Sequence, residues 1–257
     1  MKKHILLFIT LALGQTLSAL PQPDQTVIYK KTDQGNLALH LFLPAGQAQQ
    51  HGRPCVVFFH GGSWLGGTPE YFYAQCRALA DLGIPAFAAE YRVKNKNGTT
   101  PIECVKDAKS AMRWIKLHAN KLGIDPERVV AAGGSAGGQM AAATALLDDF
   151  NEESDDLSVT CQPIALVLFN PVIDTGPAGY GYDRVAAYWE RFSPLNNIRR
   201  KAPPTLLMLG SRDNVIPVSS AQEYKKRMED AGNRCDLLIY EGQQHSFFHF
   251  KEEGNPY

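Results

Sequence analysis

The sequence predicts an α/β protein built on a doubly wound, mostly parallel sheet of the eight-stranded type. Strand-like apolar runs alternate with helical patterns along the whole chain, which is the signature of repeated βαβ units. The later runs are apolar throughout, as parallel strands covered on both faces must be. The two earliest runs alternate in polarity and lie close together, as antiparallel edge strands do. The chain has 257 residues, 44% of them apolar, a composition that suits one large domain over residues 20–257.

Taken in order, "MKKH", the apolar run "ILLFITLALG" and then "QTLSA" follow the n-, h- and c-region plan of a secretory signal peptide. Residues 1–19 are expected to be removed by cutting after Ala19, and the protein to be secreted or periplasmic. The strands are expected at "TVIYK" from Thr26, "LALHLFLP" from Leu37, Cys55–Phe59, Ile84–Ala89, Arg128–Ala132, Ile164–Phe169, Thr205–Leu209 and Cys235–Tyr240. Helices fall between them with visible punctuation. One opens at Thr68-Pro69 and stops at Gly83, the next opens at Thr100-Pro101 and stops at Gly123, and a late one ends at Gly232. A short aromatic helix is expected at "DRVAAYWERF", Asp183–Phe192. The acidic run Asp148–Asp156 reads as a solvated loop.

Lys plus Arg balances Asp plus Glu at 26 each, so no bulk charge draws the chain to nucleic acid or to an anionic membrane. No segment after the leader is long and apolar enough to span a bilayer. Cys55, Cys76, Cys104, Cys161 and Cys235 are scattered, without a C-x-x-C pair or the spacing of a zinc site, so neither metal nor cofactor is expected. Export permits disulfides, but an odd number leaves at least one thiol free or paired between chains. Cys55 opens a strand and reads as core.

The chemistry gathers around one serine. In "VVAAGGSAGGQMAAATALL" a β-branched run becomes an Ala-rich one at Ser135, and Gly133-Gly134-Ser135-Ala136-Gly137 matches G-x-S-x-G at a strand-to-helix turn. Such a turn crowds its neighbours, and glycines relieve the crowding. The hydroxyl is then held clear of the sheet at a helix N-terminus, where developing negative charge is favoured. A serine needs a base and a group to orient that base. Asp213, in "GSRDNVIP" after one late strand, and His245, in "EGQQHSFF" after the next, supply both in the order Ser, Asp, His. Asp174 in "NPVID" and His249 are the rivals. The loop "HGGSW" after the Cys55 strand stands where acyl transfer needs N–H donors for an oxyanion. The expected donors are the N–H groups of Gly62, Ser63 and Ala136, with His60 and Gly61 shaping the loop and His60 bracing it.

With these motifs, and with "AEYR", "DAKSAMRWIK", "SPL" and "GIDPERVVAAGGSAGGQMAAATAL", the chain resembles the α/β-hydrolase superfamily over nearly all its mature length. It resembles in particular the hormone-sensitive-lipase-like esterases, and among these the small secreted carbohydrate esterases that act on acetylxylan or on feruloyl esters. The resemblance implies a secreted serine carboxylesterase removing short or aromatic acyl groups, acetyl or feruloyl, from polysaccharide. Arylformamidases and prolyl-oligopeptidase-type serine peptidases share the fold and are the alternatives, with a catalytically dead binding module as a third. The chain departs from the family in two ways. The cap is minimal, since the sheet starts at once and only Pro171–Pro203 is available for a lid. The sequence also stops at Tyr257, where a last helix is ordinarily found, and it is expected to lack that helix. Trp64 and Tyr188 are expected to touch substrate, whereas Phe247 and Phe248 read equally well as rim or as core.

Overall fold

A computed structural model describes residues 20–45 and 52–249. The leader-like residues 1–19 and the end of the chain from residue 250, where the last helix would lie, fall outside the described residues. Eight strands form one sheet: β1 (Gln25–Thr32), β2 (Gly35–Phe42), β3 (Arg53–Phe59), β4 (Ala86–Ala89), β5 (Ile124–Gly134), β6 (Ala165–Phe169), β7 (Thr205–Gly210) and β8 (Cys235–Tyr240). Their order is β1-β2-β4-β3-β5-β6-β7-β8. The pairs β1·β2 and β2·β4 are antiparallel. Every later pairing is parallel. All eight strand-like runs of the sequence are strands of this sheet.

Strand alternation sorts side chains to the two faces. On β3, Val57 and Phe59 join one buried cluster while Phe58 joins the other. The larger cluster packs under the Pro101–Leu117, Ala136–Leu146 and Val218–Asp230 helices, and the smaller under Tyr73–Asp81. The Ala136–Leu146 helix is buried along its whole length, so it carries no polar face and reads as continuously apolar.

The punctuation works as capping chemistry requires. Thr100 caps the Pro101–Leu117 helix, and its hydroxyl and N–H are answered by the Glu103 carboxylate at 2.6 and 2.8 Å. The helix does not run unbroken to Gly123. It stops at Leu117, because His118 turns its ring onto Trp114 and its Nδ1–H donates to the Trp114 carbonyl at 2.8 Å. A separate turn, Ala119–Leu122, then reaches left-handed Gly123. The expected aromatic helix is likewise two short turns, Tyr182–Val185 and Trp189–Phe192, parted where Tyr188 leaves helical geometry at φ −145°.

The acidic run 148–156 is not merely solvated. Glu152 reaches Lys30 at 2.8 Å and Arg92 at 3.2 Å, and Asp155 reaches Arg113 at 2.9 Å. Two of those cations also hold Asp107, which is fully buried and accepts from Lys30 at 2.6 Å and from Arg92 at 2.8 Å. Burial opposes the charge of Glu152, but the Lys30, Lys106 and Arg92 cations outweigh it and hold the carboxyl at about 2. The run therefore closes over an ionic cluster that ties β1 to the Pro101–Leu117 helix. All five cysteines are free, and Cys55 is buried as expected.

Candidate active site

β5 ends at Gly134 and the next helix begins at Ala136, so Ser135 alone makes the turn, at φ 55° and ψ −121°. That conformation is costly for any side chain and persists only where its surroundings impose it. Here the Ser135 N–H donates to Phe169 O at 2.9 Å, and its carbonyl accepts from Val172 N at 3.0 Å. The following helix lies against β3 so closely that a Cβ on Gly137 would sit 2.0 Å from Phe59 O. Only glycine fits there.

His245 and Asp213 meet this serine. Ser135 Oγ lies 3.0 Å from His245 Nε2, and His245 Nδ1 lies 2.8 Å from Asp213 Oδ2. A carboxylate only accepts, so Nδ1 carries the proton and Nε2 is free to accept from the hydroxyl. Asp213 Oδ1 takes the N–H groups of Val215 and Ile216, each at 2.8 Å, and Oδ2 also takes the Asn170 amide at 2.5 Å. Burial would raise the Asp213 carboxyl, but these hydrogen bonds outweigh it and hold it below the usual range. The rivals lie elsewhere. Asp174 Oδ1 accepts from Gly176 N at 2.8 Å, closing a local turn, and His249 packs on the Tyr71 and Phe248 rings.

The loop after β3 abuts the serine turn: a Cβ on Gly61 would stand 3.3 Å from Ser135 Cβ. Gly62 takes φ 129°, and its carbonyl accepts from Leu65 N and Gly66 N at 2.9 and 3.1 Å. The turn's own bonds thus draw on the Gly62 carbonyl rather than on the N–H groups of Gly62 and Ser63. Ala136 is the first residue of its helix and has no carbonyl a turn behind it within that helix. His60 is buried and stacks on Tyr91 with ring centroids 4.1 Å apart. Its Nδ1–H donates to Gly61 O at 2.7 Å, and the Tyr91 hydroxyl donates to His60 O at 2.7 Å. Burial pushes the His60 ring down to about 4, so at neutral pH it is an uncharged brace. Among the described residues no cluster of His, Cys, Asp and Glu could hold a metal ion, and no helix is long and apolar enough to cross a membrane.

Residues 56–249 match the family model described as alpha/beta hydrolase fold. The chain belongs to that family. Esterase 2 of Thermogutta terrifontis, in its form phosphorylated by paraoxon, is similar at 38% identity and a TM-score of 0.85, over 90% of this chain and 87% of that one. Its butyrate-bound form is similar at 36% identity and a TM-score of 0.86, over 93% and 90%. An acetylxylan esterase of Xylanibacter ruminicola is 26% identical over 94% of this chain and 50% of its own length. A probable isoprenylcysteine alpha-carbonyl methylesterase of Arabidopsis thaliana is 25% identical over 88% and 51%. The chain spans about half the length of the curated relatives it matches.

One expected contact of this α/β-hydrolase with substrate is corrected. Trp64 is 1% exposed, and its Nε1–H donates to Gln139 Oε1 at 3.3 Å, so it is a core residue that anchors the loop. Tyr188, the other expected contact, is only half-buried: it packs on Phe150 and Phe192, with its hydroxyl 3.3 Å from Arg184 O. Phe247 and Phe248 are buried as well, and Phe248 stacks on Phe72. Sequence reasoning missed three residues. Tyr180 meets Ser63 hydroxyl to hydroxyl at 2.6 Å, Arg184 donates to Ser63 O at 3.0 Å, and Asn170 reaches Asp213. The serine in place of a third glycine was the one available signal for the first two. The acid makes a prediction in turn: Asp213→Asn is expected to depress kcat severely, while Asp174→Asn changes it by less than about threefold. Steady-state kinetics of both purified variants check it, and the reverse ranking would name Asp174 the acid.

Proposed function

We propose that the chain is a serine carboxylesterase that hydrolyses short acyl esters, acetyl above all, carried by carbohydrate alcohols. The observation that carries this is the continuous relay from Ser135 Oγ through His245 to Asp213, at 3.0 and 2.8 Å. His245 Nε2 takes the Ser135 proton as Oγ bonds to the ester carbon, and the oxyanion turns to the N–H groups of Gly62, Ser63 and Ala136. Collapse breaks the bond to the alcohol oxygen, which receives that proton from His245. Water then gives a proton to the same nitrogen and attacks the acyl-enzyme, and the carboxylic acid leaves as Ser135 is reprotonated.

Three things support the short acyl group and the sugar. The similar proteins include a butyrate-bound esterase and an acetylxylan esterase. A cavity of about 180 Å³ adjoins the acid loop, for Val215 and Ile216 line it and also donate to Asp213. Its wall brings Asp174, Tyr180 and Ser220 beside Ile173 and Ile216, a mixture that suits hydroxyl groups and penalises a long alkyl chain through unpaired polar groups. The burial of Trp64, Phe247 and Phe248 takes these three aromatic rings away from a feruloyl group. Export belongs to the same proposal and rests on the leader-like sequence of residues 1–19.

A lipase gains about 0.8 kcal/mol per buried CH₂ and so improves along a homologous series. Here kcat/KM on p-nitrophenyl acetate or butyrate is expected to exceed that on the decanoate by at least about tenfold. A steady rise from acetate to decanoate would replace the carbohydrate esterase with a lipase. Acetate release from acetylated xylan then tests the alcohol.

A further inference from the structure

Asn170 is the residue that directly follows β6, and three features of it are unfavourable taken alone. Its side chain is fully buried. Its backbone sits at φ 43°, a left-handed value that asparagine tolerates better than most residues but glycine takes freely. Its Oδ1 is buried without a hydrogen-bond partner among the described residues, which is an uncompensated loss of solvation. A residue chosen for packing alone would be glycine or a small apolar side chain here.

What the asparagine gains is one contact. Its Nδ2–H donates to Asp213 Oδ2 at 2.5 Å, the oxygen that also receives His245 Nδ1–H. The direction is unambiguous, because turning the amide over would set its carbonyl oxygen against a carboxylate. The groups touching the carboxylate are the His245 ring, the Asn170 amide and the N–H groups of Val215 and Ile216. The two backbone donors both hold Oδ1, so the carboxylate could still pivot about that end. Asn170 pins the other end. Its own backbone is held by the neighbouring strand, through Asn170 N–H to Met208 O at 2.8 Å.

We propose that Asn170 is a positioning residue: its amide fixes Oδ2 of Asp213 toward His245 and draws off part of that oxygen's charge. The proposal rests on the reading of Ser135, His245 and Asp213 as the catalytic relay. Without the amide the carboxylate turns more freely, so the histidine is less well aimed at Ser135.

The test compares wild type with Asn170→Gly and Asn170→Ala on p-nitrophenyl acetate. Glycine accepts φ 43° without strain, so Asn170→Gly is expected to keep the wild-type Tm and circular dichroism while kcat falls about ten- to a hundredfold. Its KM is expected to stay within about twofold of wild type, because the amide touches the carboxylate and not the ester. Asn170→Ala is expected to show the same fall in kcat at unchanged KM, with a lower Tm. A folded Asn170→Gly with kcat within twofold of wild type, or with its loss lying in KM instead of kcat, overturns the proposal and leaves the relay standing. A wild type that hydrolyses no ester and reacts with no fluorophosphonate overturns both.

Discussion

Ser135→Ala is expected to lower kcat by about 10⁴- to 10⁶-fold, the loss that follows when a covalent nucleophile is removed and the oxyanion donors remain. KM should change little, because the serine hydroxyl contributes to the reaction rather than to holding the ester. The folded state should not suffer, since alanine keeps the backbone that Val172, Phe169 and the following helix impose on this residue. Ser135→Gly separates the two roles. Glycine takes φ 55°, ψ −121° freely, and relief of that strain is worth about 1–3 kcal/mol. The glycine variant is therefore expected to be as inactive as the alanine variant and to melt at a higher temperature. Stopped assays with p-nitrophenyl acetate and a thermal melt of each variant check both parts. An alanine variant retaining more than about a hundredth of wild-type kcat would remove Ser135 from the reaction.

The largest effect on stability is expected far from the serine. Asp107 accepts from Lys30 Nζ, from Arg92 Nε and Nη2, and from the Arg92 backbone N–H, and none of its side chain is exposed. Asp107→Ala would leave two cations facing each other with only the partly exposed Glu152 between them. Removing one partner of a buried ionic cluster costs about 3–5 kcal/mol. A urea midpoint reduced in proportion is the expected result, with ester hydrolysis by the remaining folded fraction intact. A loss below about 1 kcal/mol would mean that the cluster is hydrated and contributes as a surface pair does.

Much of this was legible because it depends on local pattern. Apolar runs of strand length mark all eight strands, since period and punctuation are written into a few consecutive residues. The pentad around Ser135 announces its turn because backbone crowding at positions 133 and 137 admits only glycine. Asp213 and His245 could be placed because each follows its strand directly, and the structure brings both to the serine. What was not legible depends on partners distant in sequence. Trp64 reads as an exposed aromatic beside the oxyanion loop until Gln139 and Phe192 close over it. The acidic run reads as solvated because its cations come from residues 30, 92 and 113. Asn170 reads as an ordinary turn asparagine, since nothing nearby hints that Asp213 lies at the end of its amide.

Ser63 binds the oxyanion loop to the short segment after β6, by its hydroxyl to Tyr180 and by its carbonyl to Arg184. In many enzymes the strip of chain over the site can be exchanged while the machinery beneath is left alone, and new substrates are acquired that way. Here the strip and the machinery share a residue. Lengthening it or transplanting one from a relative would pull away two of the contacts that hold Ser63, at φ 59°, in shape. Diversification of this scaffold is then constrained to travel in pairs, with each change to the strip needing an answering change at Ser63, for which glycine, free to take φ 59°, is the simplest.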